Sequence, residues 1–173
     1  MLIKIWKNLK HHTRFGLITG LAIMIYIGIV HGMNPKNYIL AEFGVFPILI
    51  VGLAISTLRY LKLNKYDLTF ADTFGNGFRT AAMTALLVAA LNMLSYTLYP
   101  QLKQRKLEEL RERMTVRNER NEDIEREIAE KDKNFYSLEL NGTIFPIMLC
   151  GAISSLVMSL ARPRVNTGTL PKN

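Results

Sequence analysis

The chain has 173 residues, of which 49% are hydrophobic and 21% charged, and its formal net charge is +8. The apolar and charged residues are segregated along the chain rather than interleaved, which excludes an ordinary soluble domain. The basic residues flank apolar runs instead of forming a stripe between aromatics, which argues against a nucleic-acid partner. Cys150 is the single cysteine, so disulfides and paired metal-binding cysteines are excluded as well.

The chain begins with a basic segment, residues 1–14, that precedes the first apolar run. This order resembles a signal peptide, but no small-x-small cleavage pattern follows the apolar run. We therefore expect the first span to be retained.

Four apolar stretches approach the length of about 20 residues that a helix needs to cross a bilayer. Too little amphipathic chain remains to wrap four such helices in a soluble fold. The sequence therefore predicts an all-α polytopic membrane protein with the lipid bilayer as its first partner, three spans within residues 15–100 and a fourth within 141–162. The tail, 163–173, is predicted to be disordered. The predicted spans are Phe15–Met33, Ile39–Leu58, Phe78–Tyr99 and Thr143–Ala161.

The stretch "KYDLTFADTFGNGFRTAAM" lies between the second and third spans. Its glycines resemble a phosphate loop, but no lysine and hydroxyl follow them and no third glycine completes a dinucleotide fingerprint. Phe70, Phe74 and Phe78 are spaced by four and so share one helix face. We predict a short interfacial helix over residues 67–78, capped by Thr69 or Asp67.

Small residues recur every four positions in each span, and such stripes let membrane helices pack closely. They predict a compact bundle. A homo-oligomer stays open as a further possibility. The helix-packing candidates are Gly77, Ala81, Ala85 and Ala89 in the third span, Gly16 and Gly20 in the first, Gly52 and Ser56 in the second, and Gly151 and Ser155 in the fourth.

The distribution of basic residues predicts the orientation. On one side of the membrane they are concentrated in short tails and one short loop, the segments whose Lys and Arg content sets the orientation of a membrane protein. On the other side nearly all belong to segment 101–140, which is long and balanced by acids. We therefore expect both termini to be cytoplasmic and segment 101–140 to be periplasmic.

Segment 101–140 is rich in helix formers and has no Gly or Pro up to Leu140. One upright helix could not return its chain to the fourth span, so the pattern favours an antiparallel hairpin broken within "MTVRNERNED". A surface-lying helix and an intermolecular coiled coil stay open as alternatives. The expected caps are Thr115, Asn118 and Asn121, with Glu122 and Asp123 in a first turn, and the expected seam is Leu107, Leu110 and Met114 against Ile124 and Ile128.

Two polar residues within the spans, Glu42 and Asn92, are candidates for intramembrane chemistry, because an ionisable group in lipid is costly. Structural roles, as an anchor near the bilayer edge and as an interhelical hydrogen bond, are the simpler interpretation. No Ser-His-Asp set, Cys-His pair or paired carboxylates occur in the spans, so we expect no catalytic residue, no metal and no cofactor.

A family resemblance follows from the motif "LTFADTFGNGFRTAAMTALL", the charged segment with "RMTVRNE" and the final span "FPIMLCGAISSLVMSLA". Together these resemble domain-of-unknown-function family 4199, four-span membrane proteins of Bacteroidota, over about residues 10–165. The resemblance implies four helices in a bacterial inner membrane and brings no activity.

Two functional hypotheses remain. The first is a structural or accessory subunit that presents segment 101–140 to a protein partner in the cell envelope. The second is a small transporter or channel that uses Glu42 and Asn92. The scarcity of intramembrane polar chemistry favours the first.

Overall fold

A computed structural model describes residues 9–33, 38–118 and 120–161, with the side chains of 31–33 and 38–42 outside that description. Within those residues every regular element is a helix, which confirms the all-α prediction. The helices are α1 (His11–Met33), α2 (Tyr38–Leu63), α3 (Phe70–Leu98), α4 (Pro100–Val116), α5 (Asn121–Lys133) and α6 (Phe135–Leu160).

Four of these helices, α1, α2, α3 and α6, are long and apolar enough to cross a bilayer. The chain is therefore a multi-pass membrane protein, as predicted. The helices extend beyond the predicted spans: α6 begins at Phe135, eight residues before the predicted start at Thr143. α2 and α6 each contain an internal proline, which membrane helices tolerate because neighbouring groups satisfy the freed backbone.

The chain divides into two compact units. The first, which we call the bundle unit, contains α1, α2, α3 up to Leu87 and α6 from Pro146. The second, the hairpin unit, runs from Val88 to Phe145 and contains the end of α3, α4, α5 and the start of α6. Each unit is described by itself below.

The bundle unit is apolar outside and partly polar inside. Large apolar side chains such as Leu86 and Phe43 are more than half exposed, as lipid-facing residues must be. The interior holds Leu49 and Leu53 together with hydroxyl side chains. The buried polar residues of this unit are Thr19, Ser56, Thr57, Thr73, Asn76, Thr80, Thr84, Ser155 and Ser159.

The predicted interfacial helix 67–78 is not a separate element. α3 begins at Phe70 and continues unbroken through Gly75 and Gly77 into the span. Close packing against Ser155 at Gly77 favours the continuous helix, whereas Gly75 lies in open space. Thr69 caps it: Thr69 N donates to Asp72 Oδ2 at 3.0 Å and Asp72 N donates to Thr69 Oγ1 at 3.2 Å, a reciprocal capping box. Of the two predicted caps, Thr69 is correct and Asp67 is wrong.

The three phenylalanines at the start of α3 lie on one face, as predicted. The rings of Phe70 and Phe74 are stacked with their centroids 6.1 Å apart, and the centroids of the stacked Phe74 and Phe78 rings are 5.9 Å apart. This ladder of rings occupies the first two turns of the helix.

The charged segment forms the predicted antiparallel hairpin, α4 followed by α5. The predicted caps were wrong in detail, because the turn uses backbone conformation instead of a capping side chain. Asn118 adopts a left-handed φ of 56°, which asparagine tolerates better than most residues. Arg120 occupies the N-cap of α5 without a side-chain cap, and Glu122 and Asp123 lie in the first turn as expected.

The predicted disordered tail, 163–173, and most of the basic N-terminal segment lie outside the described residues. The predicted cytoplasmic position of both termini stays a prediction.

Candidate functional site

α3 packs directly against α6 through two of the predicted stripes. A Cβ atom added at Gly77 would lie 2.9 Å from Ser155 Cβ, and one added at Gly151 would collide with Ala81 Cβ. Ser155 Oγ donates to Gly151 O at 2.6 Å, which satisfies the hydroxyl within its own helix. Ala85, one turn further along α3, is buried as well. The two helices therefore meet nearly backbone to backbone.

The predicted stripe of α1 packs on a different face of α3. A Cβ atom at Gly16 would lie 2.9 Å from Thr80 O, and one at Gly20 would lie 3.3 Å from Leu87 Cβ. Thr84 Oγ1 donates to Gly16 O at 3.2 Å across the interface. The sequence predicted close packing by Gly16 and Gly20 but not the larger partners that fill the space.

α2 contacts α1 and α3 through Gly52 and Ser56. A Cβ atom at Gly52 would lie 3.0 Å from Thr19 Cβ of α1. Ser56 Oγ lies 3.2 Å from Thr80 Oγ1 of α3. In the bundle unit α3 thus has contacts with each of the other three helices.

A buried polar network at Ser56 was missed by sequence reasoning. Asn76 Nδ2 donates to Ser56 Oγ at 3.4 Å, and Thr80 Oγ1 donates to Asn76 O at 2.8 Å. His11 Nε2 donates to Ser56 O at 3.0 Å, and because a carbonyl can only accept, Nε2 carries the proton. The sequence does carry a signal for this network, because Thr73, Thr80 and Thr84 lie seven and four residues apart and so share one face of a helix.

This network stabilises the bundle rather than opening a path through it. Ser56 and Thr80 are fully buried, and Asn76 is 4% exposed. Their polar atoms bind one another or backbone carbonyls, which is how polar groups survive in lipid. Ser56, Asn76 and Thr80 are uncharged, so their interactions with one another are hydrogen bonds between neutral groups.

The other predicted residues are less informative. Ala89 is buried in the hairpin unit. Asn92, in the same unit, is half-buried and makes no side-chain hydrogen bond to another described residue. Glu42 belongs to the first turns of α2, but its side chain lies outside the described residues.

The hairpin is held by an apolar seam and by ion pairs across it. Met114 and Ile124 are each 3% exposed, and Leu107, Leu110 and Ile128 are half-buried, as the heptad pattern predicted. Lys103 Nζ lies 2.7 Å from Asp132 Oδ1, and Arg111 Nη2 lies 2.9 Å from Glu125 Oε2. The pairs join residues in antiparallel register, which fixes how α4 aligns with α5.

A second polar cluster of the hairpin unit joins α3, α4 and α6. Glu139 Oε2 accepts from Lys106 Nζ at 2.6 Å and from Tyr96 Oη at 3.1 Å. Phe135 packs edge-on against Tyr96 at 4.9 Å, and Lys103 lies over the Phe135 ring at 5.4 Å. Residues 43 positions apart are thereby joined, a contact that no local pattern could predict.

Electrostatics within this cluster favour the charged lysine. Burial acts to lower the pKa of Lys106, but the opposing charge interactions with Tyr96 and Glu139 prevail, so the pKa is raised from the ordinary 10.5. Lys106 is therefore cationic at neutral pH and serves as a fixed partner of Glu139 rather than as a base.

Metal-ligating side chains do not cluster within the part of the chain that the structure describes. No three His, Cys, Asp or Glu side chains in that set lie close enough to share a metal ion. Cys150 is a free, half-buried thiol whose Sγ lies 4.0 Å from Ser154 Oγ.

Comparison with known proteins agrees with the resemblance drawn from the motifs. No match was found among curated proteins, and none among solved structures. The family described as "Protein of unknown function (DUF4199)" matches residues 14–161, which include all of α2 to α6 and nearly all of α1. A match over most of the chain places it in this family: the protein is a member of DUF4199.

Proposed function

We propose that this protein is a non-enzymatic accessory subunit of the inner membrane. Its bundle unit anchors the chain, and its hairpin, α4 with α5, is the surface offered to a protein partner in the cell envelope. One observation carries this proposal: the hairpin buries its own apolar seam and still exposes charged side chains that have no partner within the described chain.

The exposed charges lie along both helices and at the turn. Seven of them form no ion pair with another described residue and are more than a third exposed. Charged side chains of this kind steer association and select partners more than they stabilise a fold. They are Arg105, Glu108, Glu112, Arg117, Glu122, Glu130 and Lys133.

The two helices of the hairpin differ in charge. α4 carries five basic and three acidic side chains, whereas α5 carries six acidic and three basic ones. A partner that matched this surface would present acidic groups to α4 and basic groups to α5. At the turn, Val116 is 81% exposed beside Arg117, which supplies an apolar contact within a basic tip.

Site-specific photo-crosslinking in native membranes tests the proposal. A photoreactive residue replacing Glu130 should capture a discrete partner, and the same residue at the lipid-facing Leu86 should not. The charge reversals Arg105→Glu and Arg117→Glu should then weaken capture from position 130 by at least several-fold, because they oppose the complementary charge. Equal capture before and after charge reversal would contradict a charge-selected partner.

Capture of a second copy of the chain would point instead to a homo-oligomer formed through the hairpin. The small-residue stripes of α3 and α6 are less suited to contact a second copy, because Gly77 and Gly151 are already covered within the bundle unit. Mass determination of the crosslinked product distinguishes the two outcomes.

The transport alternative rests on Asn92, whose half-buried amide has no hydrogen-bond partner among the described residues, and on Glu42. If they served an ion, Glu42→Gln and Asn92→Leu would each abolish a flux measured in liposomes while leaving the melting temperature unchanged. An unaltered protein with no flux above empty liposomes would end this alternative.

A further inference from the structure

A basic groove lies between the first turns of α1 and the last turns of α2, within the bundle unit. It is open, with a volume of about 420 Å³. Its lining combines cationic and apolar side chains: His11, Arg14, Phe15, Arg59, Lys62 and Leu63, with Ile18 at the deeper end.

The charge of the groove has one sign. Arg14, Arg59 and Lys62 are cationic at neutral pH, and none of the described residues that line the groove is acidic. Guanidinium groups bind phosphate oxygens in a forked geometry, and a lysine adds a mobile point charge. The groove therefore suits a phosphate-bearing anion.

Aromatic rings hold the floor of the groove in place. The His11 ring lies 4.6 Å from Phe15 and 5.5 Å from Tyr60, and the Arg59 guanidinium lies 5.9 Å from the Phe15 ring. His11 is further fixed by its hydrogen bond to Ser56 O at 3.0 Å. The basic groups consequently project from an ordered platform instead of from a free tail.

The position of the groove in the bilayer identifies its occupant. The candidate spans His11–Val30 and Phe43–Leu63 begin and end at this level, which places the groove at the boundary between headgroups and hydrocarbon. Ile18 is 48% exposed and Leu63 is 71% exposed, so apolar surface continues from the basic end. A soluble anion would leave that surface unused, whereas an amphiphile would cover both parts.

We propose that this groove binds the headgroup phosphate of an anionic phospholipid from the surrounding leaflet, with an acyl chain along Phe15 and Ile18. Basic pockets between membrane helices hold anionic headgroups in this manner. The groove is formed by residues of the bundle unit alone, and this proposal does not rest on the partner proposed for the hairpin.

Thermal unfolding of the detergent-purified chain provides the test. Dioctanoylphosphatidylglycerol at saturation should raise the melting temperature by about 5 °C more than dioctanoylphosphatidylcholine, because a ligand of the folded state stabilises it. In the double variant Arg59→Gln and Lys62→Gln, at least half of that difference should disappear. The matched control Arg105→Gln with Lys133→Gln removes the same charge from the hairpin and should keep the full difference.

Native mass spectrometry gives a second measurement of lipid preference that does not rely on thermal unfolding. The unaltered chain should retain the glycerol lipid at lower concentration than the choline lipid, and Lys62→Gln alone should weaken that preference. Any of three results would overturn the proposal. They are equal shifts of the melting temperature with both lipids, an unchanged lipid preference in the double variant, and an equal loss of that preference in the hairpin control. An equal shift with inorganic phosphate would overturn the assignment to a lipid.

Discussion

The bundle unit and the hairpin unit reverse each other's pattern of polarity. The bundle unit buries hydroxyls and an amide, as at Ser56, Asn76 and Thr80, and exposes leucine and isoleucine. The hairpin buries Met114 and Ile124 and exposes charges. The same chain follows both patterns because its surroundings change from lipid to water.

The difference teaches what holds each unit together. Lipid is as apolar as leucine, so burying leucine in the bundle supplies little driving force, and helices associate through close contact and interhelical hydrogen bonds. In water, burial of the apolar seam stabilises the hairpin, and each exposed ion pair contributes at most about 1 kcal/mol to its stability. Substitutions should therefore act by different physical routes in the two units.

The largest effect should come from filling the α3–α6 contact. Gly77→Leu forces atoms into the space held by Ser155, and overpacking of this kind costs about 1–3 kcal/mol or more. We expect the melting temperature in detergent to fall by about 5–10 °C. The matched control is Gly75→Leu in the same helix, because a Cβ atom at Gly75 meets nothing within 4 Å. Similar losses from both variants would mean that helix distortion, not packing, is responsible.

The next largest effect should come from cutting the hairpin seam. Met114→Ala removes a side chain that is 3% exposed, and such truncations cost about 2–5 kcal/mol. Local opening of the hairpin should raise the rate of tryptic cleavage within residues 100–134 by about tenfold or more, because cleavage follows the population of the opened form. Val116→Ala, at a position 81% exposed, serves as the control. If both variants are cleaved at the same rate, the seam does not stabilise the hairpin.

A smaller effect is expected where Glu139 binds Lys106 and Tyr96. Glu139→Gln removes the carboxylate 2.6 Å from Lys106 Nζ, and because the lysine is partly exposed the cost should be about 1 kcal/mol. The pKa of Lys106 is raised, so the stabilisation is present below the unfolded value of 10.5 and is lost as pH rises through the higher folded value.

The difference in unfolding free energy between unaltered protein and Glu139→Gln should thus be constant from pH 7 to about pH 10 and shrink above that. Denaturant titration at several pH values measures it. The control is Glu125→Gln, whose side chain is 64% exposed and whose loss should cost less. A larger loss from Glu125→Gln would contradict this account.

The smallest effect should come from a single hydroxyl of the buried network. Thr80→Val keeps the shape of the side chain and removes its contacts with Asn76 O and Ser56 Oγ. Interhelical hydrogen bonds in membranes average about 0.6 kcal/mol, so we expect a fall of roughly 1–3 °C in the melting temperature. A fall as large as that of Gly77→Leu would show that polar contacts, not close packing, dominate the bundle.

Much of the fold could be predicted from sequence, because its strongest signals are local. Apolar length predicted the four spans, and chain geometry predicted a break near Asn118 and hence the hairpin. The start of α3 at Phe70 was predicted less well: the phenylalanine spacing suggested a separate interfacial helix over residues 67–78, but one helix runs from Phe70 to Leu98 without a break.

The site could be predicted only in part. Stripes such as Gly77 with Ala81 are visible in one helix at a time, but which stripe meets which is a tertiary property. The contacts of Ser56 with Thr80 and of Tyr96 with Glu139 join residues 24 and 43 positions apart, beyond the reach of any local pattern. The charges at Arg59 and Lys62 were visible, whereas the groove they form with α1 was not.

Hydrogen exchange measured by mass spectrometry on two variants tests most directly whether the two units are stabilised separately. In lipid nanodiscs, Gly77→Ala should speed exchange in residues 70–87 and 146–160 and leave residues 100–133 unchanged relative to Gly75→Ala. Met114→Ala should do the reverse, with faster exchange confined to the hairpin. Faster exchange spread evenly over both units in either variant would contradict the account.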